Sequence, residues 1–404
     1  MKKSLRVRSR FWGSTLLLTG TALGGGVLPL PLLLAPLGIV KASCVFLFFA
    51  FYAYLVAQPL INLSALFPES ASLNSMAKKN SGSMVLALIN IAFLLLSYSL
   101  LTAYISSGAI FLKTAFKLFG IKEIKSFFYF FLFASGFGIL IFLGIAVVDR
   151  INKFLIILKA GLLFILAICI IPKISQSGLV SVFDNITTNN FSYFMIPTIF
   201  TGFGFQISIP AIANYYQANK KDQNLKRQLN KIVRTVVLLI ALVYLTWIII
   251  VFAISSNLPS LIEINPLMQS NFEKFSILLH KGIRNQYLGK SINIFADVAI
   301  TTSFLGVSIA LVNFLRDLLP KRLLGGSGTI FFCTYLPPIF FAVFVPDVFI
   351  KSLSYSSIPL LCLTVFFPLV MLRNRSLKEN YKTYILLGGA LVIIASLIFS
   401  LFSS

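Results

Sequence analysis

Long apolar runs separated by short polar stretches dominate the chain. About 20 apolar residues cross the roughly 30 Å hydrocarbon core of a bilayer. Eleven stretches reach or approach that length, near 12–35, 39–62, 84–112, 127–148, 151–172, 193–217, 233–254, 290–316, 328–345, 348–372 and 381–402. The ninth is the shortest and carries Pro337-Pro338. The pattern predicts an all-α integral membrane protein of about eleven transmembrane helices, a single polytopic domain over 1–404.

Two segments are interrupted where an ordinary membrane helix would be continuous. The first contains GTALGGGVLPLP, Gly20 to Pro31, and the sixth contains FTGFGFQISIP, Phe200 to Pro210. Unwound backbone inside a bilayer costs several kcal/mol per unsatisfied amide, so it is tolerated where it is buried in protein or lines a cavity. Glycines let a ligand approach the backbone and permit φ > 0, and a half-helix beginning near Val27 aims free N–H groups and a positive dipole end into the gap. That end suits a carboxylate. Gly-rich patches also serve close helix packing, so one break alone leaves both readings open. Paired breaks in corresponding positions point to a secondary transporter's site. Five spans separate them, an odd number that gives the two units opposite topology. The expected architecture is a five-plus-five inverted repeat with broken helices 1 and 6: repeat one about 11–172, repeat two about 193–372, and an extra helix about 381–402.

Composition agrees, with 58% hydrophobic and 11% charged residues and a mean hydropathy of +0.94. A net charge of +23 raises the question of nucleic acid, but the basic residues sit in short blocks between apolar runs and form no contiguous basic face. With the N-terminus inside, twice as many Lys and Arg fall on the cytoplasmic side as outside, in agreement with the positive-inside rule. Lys113, Lys117, Lys122 and Lys125 run against it. Cys44, Cys169, Cys333 and Cys362 lie in apolar spans without metal or redox spacing, and His280 is the single histidine. No cofactor or metal is expected. A membrane-embedded enzyme would need convergent catalytic groups, and the 11 acids fall mostly in loops. MKKSLRVRSR at the start resembles a signal peptide's charged region, but the following run is too long, and it is expected to stay uncleaved. The stretch from about Ser255 to Gly289, with NFEKFSILLHKGIRNQYL in it, reads as a lid or as an amphipathic surface helix.

Few polar groups lie within the spans. Lys159 sits about eight residues past Arg150 and Lys153, roughly 12 Å into the fifth span. It either snorkels to the cytoplasmic face or places a positive charge beside the first break, where a proton would replace sodium as the coupling ion. Asp297 lies within two turns of the outer end of the eighth span, at the interface or as a proton carrier. Thr301, Thr302 and Ser303 form a hydroxyl cluster that bonds its own backbone, coordinates a cation or meets Lys159. Gln206 closes the second break and would meet a polar group of the substrate, while Tyr98 and Tyr104 read as interface or packing residues.

These residues carry a resemblance. GTALGGGVLPLP resembles the first-helix signature of the bacterial hydroxy and aromatic amino acid permeases. FTGFGFQISIP is similar to that family's sixth-helix motif, and TTSFLGVSIALVNFLRD to its eighth-helix segment. Within the family the chain looks most like the tyrosine- and tryptophan-specific members. The resemblance implies the fold of the amino acid, polyamine and organocation transporters. It also implies a proton-driven importer of an aromatic L-amino acid in a bacterial cytoplasmic membrane. By that similarity Gly24, Gly25 and Gly26, with Thr19 and Thr21 beside them, bind the substrate. The three glycines meet its carboxylate. Carbonyls near Thr19, Phe200 and Thr201 take its ammonium, and Phe203 and Phe205, flanking Gly204, border its side chain. Lys159, Asp297, Thr301, Thr302 and Ser303 are the coupling candidates. Gln206 stands where relatives often place a histidine, and Asn313 where an acid is common, which shifts coupling towards Lys159 or Asp297. Tyrosine, tryptophan and phenylalanine stay open as substrates, and a sodium-coupled or serine/threonine transporter of the same fold is the alternative.

Overall fold

The structure is a computed structural model and describes residues 2–67, 72–118, 120, 122, 124–142, 145–176, 193–217, 224–255, 286–319, 327–345, 348–373 and 380–402. The expected lid and His280 lie outside the described residues, apart from a few positions at the lid's end. Every regular element among them is helical. By length and apolarity seven helices suffice to cross a membrane, or eight if the bent pair Arg10–Ala22 and Gly25–Leu34 is one span. Three shorter apolar helices, Phe127–Ile141, Gly328–Phe344 and Ile385–Ser400, fall where the fourth, ninth and eleventh spans are expected.

The first broken span consists of α1 (Lys2–Ala22), a 3-10 turn at Gly25–Val27 and the short α2 (Leu30–Leu34), with the two halves bent by 55°. Three glycines weaken the helix where it ends, and Pro29 and Pro31, lacking N–H, are tolerated where α2 begins. The second broken span is α8 (Met195–Gly202), a 3-10 stretch Gly204–Ser208 and α9 (Ile209–Gln217). Intact helices surround them: α3 (Gly38–Leu66), α5 (Ser83–Leu118), α6 (Ser126–Phe142), α7 (Ile145–Gln176), α10 (Leu225–Ser255) and α11 (Gln286–Leu318). The amphipathic α4 (Leu73–Asn80) joins α3 to α5 and starts with a reciprocal Ser72–Ser75 capping box.

α10 packs along α3 and α1, and α11 packs along α5 and α7. The first break packs against α8, α10 and α11, and the second broken span packs along α3. α12 (Ser327–Phe344) keeps its helix through Pro337 and Pro338. Pro337 has no N–H for the Cys333 carbonyl four residues back, and the Tyr98 hydroxyl donates to that carbonyl at 2.8 Å. The packing role expected of Tyr98 thus takes a specific form. The next span is built from α13 (Val348–Tyr355), α14 (Ser357–Leu361), a π-turn at Cys362–Phe366 and α15 (Phe367–Arg373). α16 (Asn380–Phe402) closes the chain against α3, where the Tyr52 hydroxyl donates to the Leu386 carbonyl at 2.8 Å.

Candidate functional site

Ending a helix inside a membrane frees carbonyls on one side of the gap and amides on the other, and each needs a partner. At the first break the Ala22 carbonyl accepts from the Gly24 amide at 2.7 Å and from the Tyr244 hydroxyl at 2.6 Å. The Leu23 carbonyl accepts from the Lys159 ammonium. On the amide side, Gly25 donates to Ser303 Oγ at 2.9 Å. Side chains from α7, α10 and α11 therefore complete the break.

Space, rather than a left-handed backbone, explains the three glycines. The described glycines with positive φ are Gly38 and Gly120, and Gly24 is extended. A Cβ on Gly24 would collide with the Ser303 side chain, and one on Gly25 would lie 3.0 Å from the Tyr104 ring. A Cβ on Gly26 would sit 3.5 Å from the Gly202 Cα, so the two breaks touch at their glycines. Tyr244 joins them further: its hydroxyl also lies 3.0 Å from the Gly202 carbonyl, within reach of both half-helix ends.

Lys159 is 5% exposed, and its Nζ turns to the Leu23 carbonyl and, at 3.3 Å, to Thr302 Oγ1 rather than back along α7 to the interface. Thr302 and Ser303 both donate to the Ala299 carbonyl, at 3.0 and 2.9 Å. Thr302 thus bonds its own helix and also meets Lys159, because a hydroxyl that donates still accepts, whereas Ser303 makes no contact with Lys159. Thr301 is buried and makes neither contact. Asp297 forms no ion pair with Lys159, and its Oδ1 is buried without a hydrogen-bond partner among the described residues.

The second break is held mainly by the neighbouring hydroxyl-rich helix. Thr201 donates to the Leu353 carbonyl at 2.9 Å and accepts from Ser356 at 3.3 Å, and Thr198 pairs with Ser354 at 2.7 Å. Phe200 packs on Tyr52 with ring centroids 6.0 Å apart, and Phe203 stacks on Phe46 at 5.2 Å. Gln206 Nε2 reaches the Ala53 carbonyl at 3.4 Å. All three thus turn towards α3. Phe205 is fully buried, and Gly204 lies against Leu360. Thr19 is buried with its hydroxyl unpartnered among the described residues, whereas Thr21 is exposed and bonds the Leu18 carbonyl of its own helix at 2.7 Å.

The structure accordingly gathers Gly24, Gly25, Gly26, Gly202, Lys159, Thr302 and Ser303 into one place and sets Asp297 and Thr21 apart from it. Two further members come from intact helices. Tyr104 covers Gly25, and its hydroxyl and that of Ser303 both lie beside Gly24. Tyr244 bridges the breaks. A tyrosine inside an apolar run was the only sequence signal for either, and it does not say which way the ring points.

The model of the tryptophan/tyrosine permease family matches residues 7–403. Among characterised relatives, the chain is 28% identical to "Glutamine transporter 2" of Aliivibrio fischeri, covering 97% of both chains. It is 26% identical to "Tyrosine-specific transport system 1" of Haemophilus influenzae, covering 96% of this chain and 93% of that one. A "Tryptophan-specific transport protein" of the same organism is 23% identical over 94% of this chain and 91% of its own. Among solved structures, MhsT in complex with L-phenylalanine superposes with a TM-score of 0.61 at 15% identity, covering 95% and 98% of the two chains. Mhp1, a nucleobase-cation-symport-1 family transporter, superposes at 0.57 with 10% identity, covering 96% and 90%. With its broken spans in that fold and the family model matched almost end to end, the chain belongs to the tryptophan/tyrosine permease family and is a multi-pass membrane transporter, not an enzyme.

Proposed function

We propose that this protein imports an aromatic L-amino acid, tyrosine or tryptophan, into the bacterial cytoplasm by proton symport. In this reading its N-terminus lies on the cytoplasmic side of the inner membrane. About eleven helices form two inverted five-helix units and a last helix, and the two broken spans hinge to give alternating access. The observation that carries the reading is the buried Lys159 ammonium on the Leu23 carbonyl of the first broken span. A cation at the negative end of a half-helix is favourable, and a lysine can supply it or withdraw it by gaining or losing one proton. That is the property a coupling site needs.

The substrate is a zwitterion whose two charges must both leave water. Its carboxylate goes to the amides of Gly24, Gly25 and Gly26, and its ammonium to the carbonyls near Thr19, Phe200 and Thr201. The aromatic side chain is supported by family membership and by relatives named for tyrosine and tryptophan. Glutamine is the second reading. It rests on the glutamine transporter at 28% identity and on the buried Oε1 of Gln206, unpartnered among the described residues, which would accept from an amide if the side chain turned to the site.

Uptake of labelled tyrosine into proteoliposomes tests the proposal. An inward proton gradient should drive accumulation, tryptophan should compete, and Lys159→Ala should abolish proton-driven accumulation while the protein still folds. Accumulation driven only by a sodium gradient would establish the sodium-coupled alternative. Stronger competition by glutamine or serine than by tryptophan would move the substrate out of the aromatic class.

A further inference from the structure

The groups around Lys159 close into a ring. The Gly25 amide donates to Ser303 Oγ at 2.9 Å, and Ser303 donates to the Ala299 carbonyl at 2.9 Å. Thr302 donates to the same carbonyl at 3.0 Å, Lys159 donates to Thr302 Oγ1 at 3.3 Å, and Lys159 also donates to the Leu23 carbonyl. Leu23 and Gly25 are two residues apart in the first break, so the circuit returns to where it began.

We propose that Thr302 and Ser303 are positioning residues that link the proton on Lys159 to the amide that receives the substrate carboxylate, through the Ala299 carbonyl they share. This rests on the reading of Lys159 as the proton carrier and of Gly25 as a carboxylate donor. The Gly25 amide donates to Ser303, so a substrate carboxylate must take it over. A charged ammonium makes Thr302 a stronger donor, since each bond in a chain polarises the next. Two donors on one oxygen draw on the same electron density, so a stronger Thr302 bond weakens the Ser303 bond to Ala299. Ser303 then becomes a poorer acceptor and releases Gly25 more readily. Protonation of Lys159 thereby favours substrate binding, and substrate binding favours protonation, which is the sign symport requires.

Two phenols border the circuit: Tyr104, against Gly25, and Tyr244, on the Ala22 carbonyl. Among the described residues no carboxylate pairs with Lys159. Asp297 lies more than a turn earlier on α11, and α6, also packed on α7, brings only Tyr129 as a titratable group. The basic residues of α10 cluster at its start, from Lys226 to Arg234.

The experiment measures the KM for tyrosine uptake across pH in proteoliposomes for the wild type, Thr302→Val, Ser303→Ala and the double variant. The wild-type KM should fall by about fivefold or more from alkaline to acid pH, the usual scale of coupling between sites. Each single variant should flatten the profile, the double variant should be no flatter than either, and Ser303→Thr should restore the slope. If Thr302→Val does not reach the membrane folded, Thr302→Cys, a weaker donor and acceptor of similar size, makes the same comparison. A Ser303→Ala variant that shifts KM by one factor at every pH, or a double variant with additive effects, overturns the link. A flat wild-type profile instead overturns the proton reading beneath it.

Discussion

The glycines of the first break differ in what surrounds them, and that difference sets their tolerance to change. Adding a methyl at Gly24 drives it into Ser303, and overpacking of this kind costs about 1–3 kcal/mol. At Gly25 the methyl would sit 3.0 Å from the Tyr104 ring, which has to give by a few tenths of an ångström, and at Gly26 the nearest atom is at an ordinary contact distance of 3.5 Å. Thermal unfolding in detergent should therefore show Gly24→Ala clearly destabilised and Gly26→Ala much less so. Gly24→Ala should partly recover when Ser303 is also replaced by Ala, because neighbouring substitutions that relieve one clash are not additive. Tyr244→Phe removes the one O–H that the Ala22 and Gly202 carbonyls share. It should cost about 1–3 kcal/mol of stability. Tyrosine uptake by the same variant should fall with it, since the hydroxyl bridges both half-helices. The glycines were legible in the sequence as a break. Tyr104 and Tyr244 were not legible as its partners, because a residue's place along an apolar run does not reveal its direction around the helix axis.

At the scale of single elements, a membrane helix keeps its shape only if every interrupted hydrogen bond finds a substitute. α12 shows this at Pro337, whose missing N–H is replaced by the Tyr98 hydroxyl from α5. Tyr98→Phe should then destabilise by about 0.5–2 kcal/mol, the range of side-chain hydrogen bonds in membranes. In a Pro337→Ala background, where residue 337 again donates to Cys333, the same substitution should cost less. A double-mutant cycle on unfolding free energies reads the difference, and strict additivity would show that the Tyr98 bond does no such repair. The expected half-helix beginning near Val27 is a 3-10 turn at Gly25–Val27 followed by α2 from Leu30. The prolines set that boundary.

For the whole molecule, the positive-inside rule and the lysines from Lys113 to Lys125 make opposing claims on orientation. Two exposed positions decide between them. In a variant whose own four cysteines are replaced, Lys78→Cys should react with an impermeant thiol reagent only from the cytoplasmic side, and Lys122→Cys only from outside. Reversed labelling would invert the topology and place the Lys113–Lys125 cluster inside. Both sites on one side would remove the expected odd number of crossings between them and, with it, the opposed orientation of the two five-span units.

Hydropathy and breaks in it are properties of short stretches, so the sequence alone determined the membrane class, the all-helical character and the two points where apolar segments unwind. A resemblance carried by three ordered motifs also reached the family. Side-chain direction depends on how each helix is rotated against its neighbours, and only the tertiary structure decides that. It turned Lys159 inward to the Leu23 carbonyl, set Thr302 and Ser303 on one shared acceptor, and brought Gly26 against Gly202. It turned Phe200, Phe203 and Gln206 towards α3 and left Asp297 apart from Lys159. Packing of whole helices made those choices, because it fixes which face of each helix meets its neighbours.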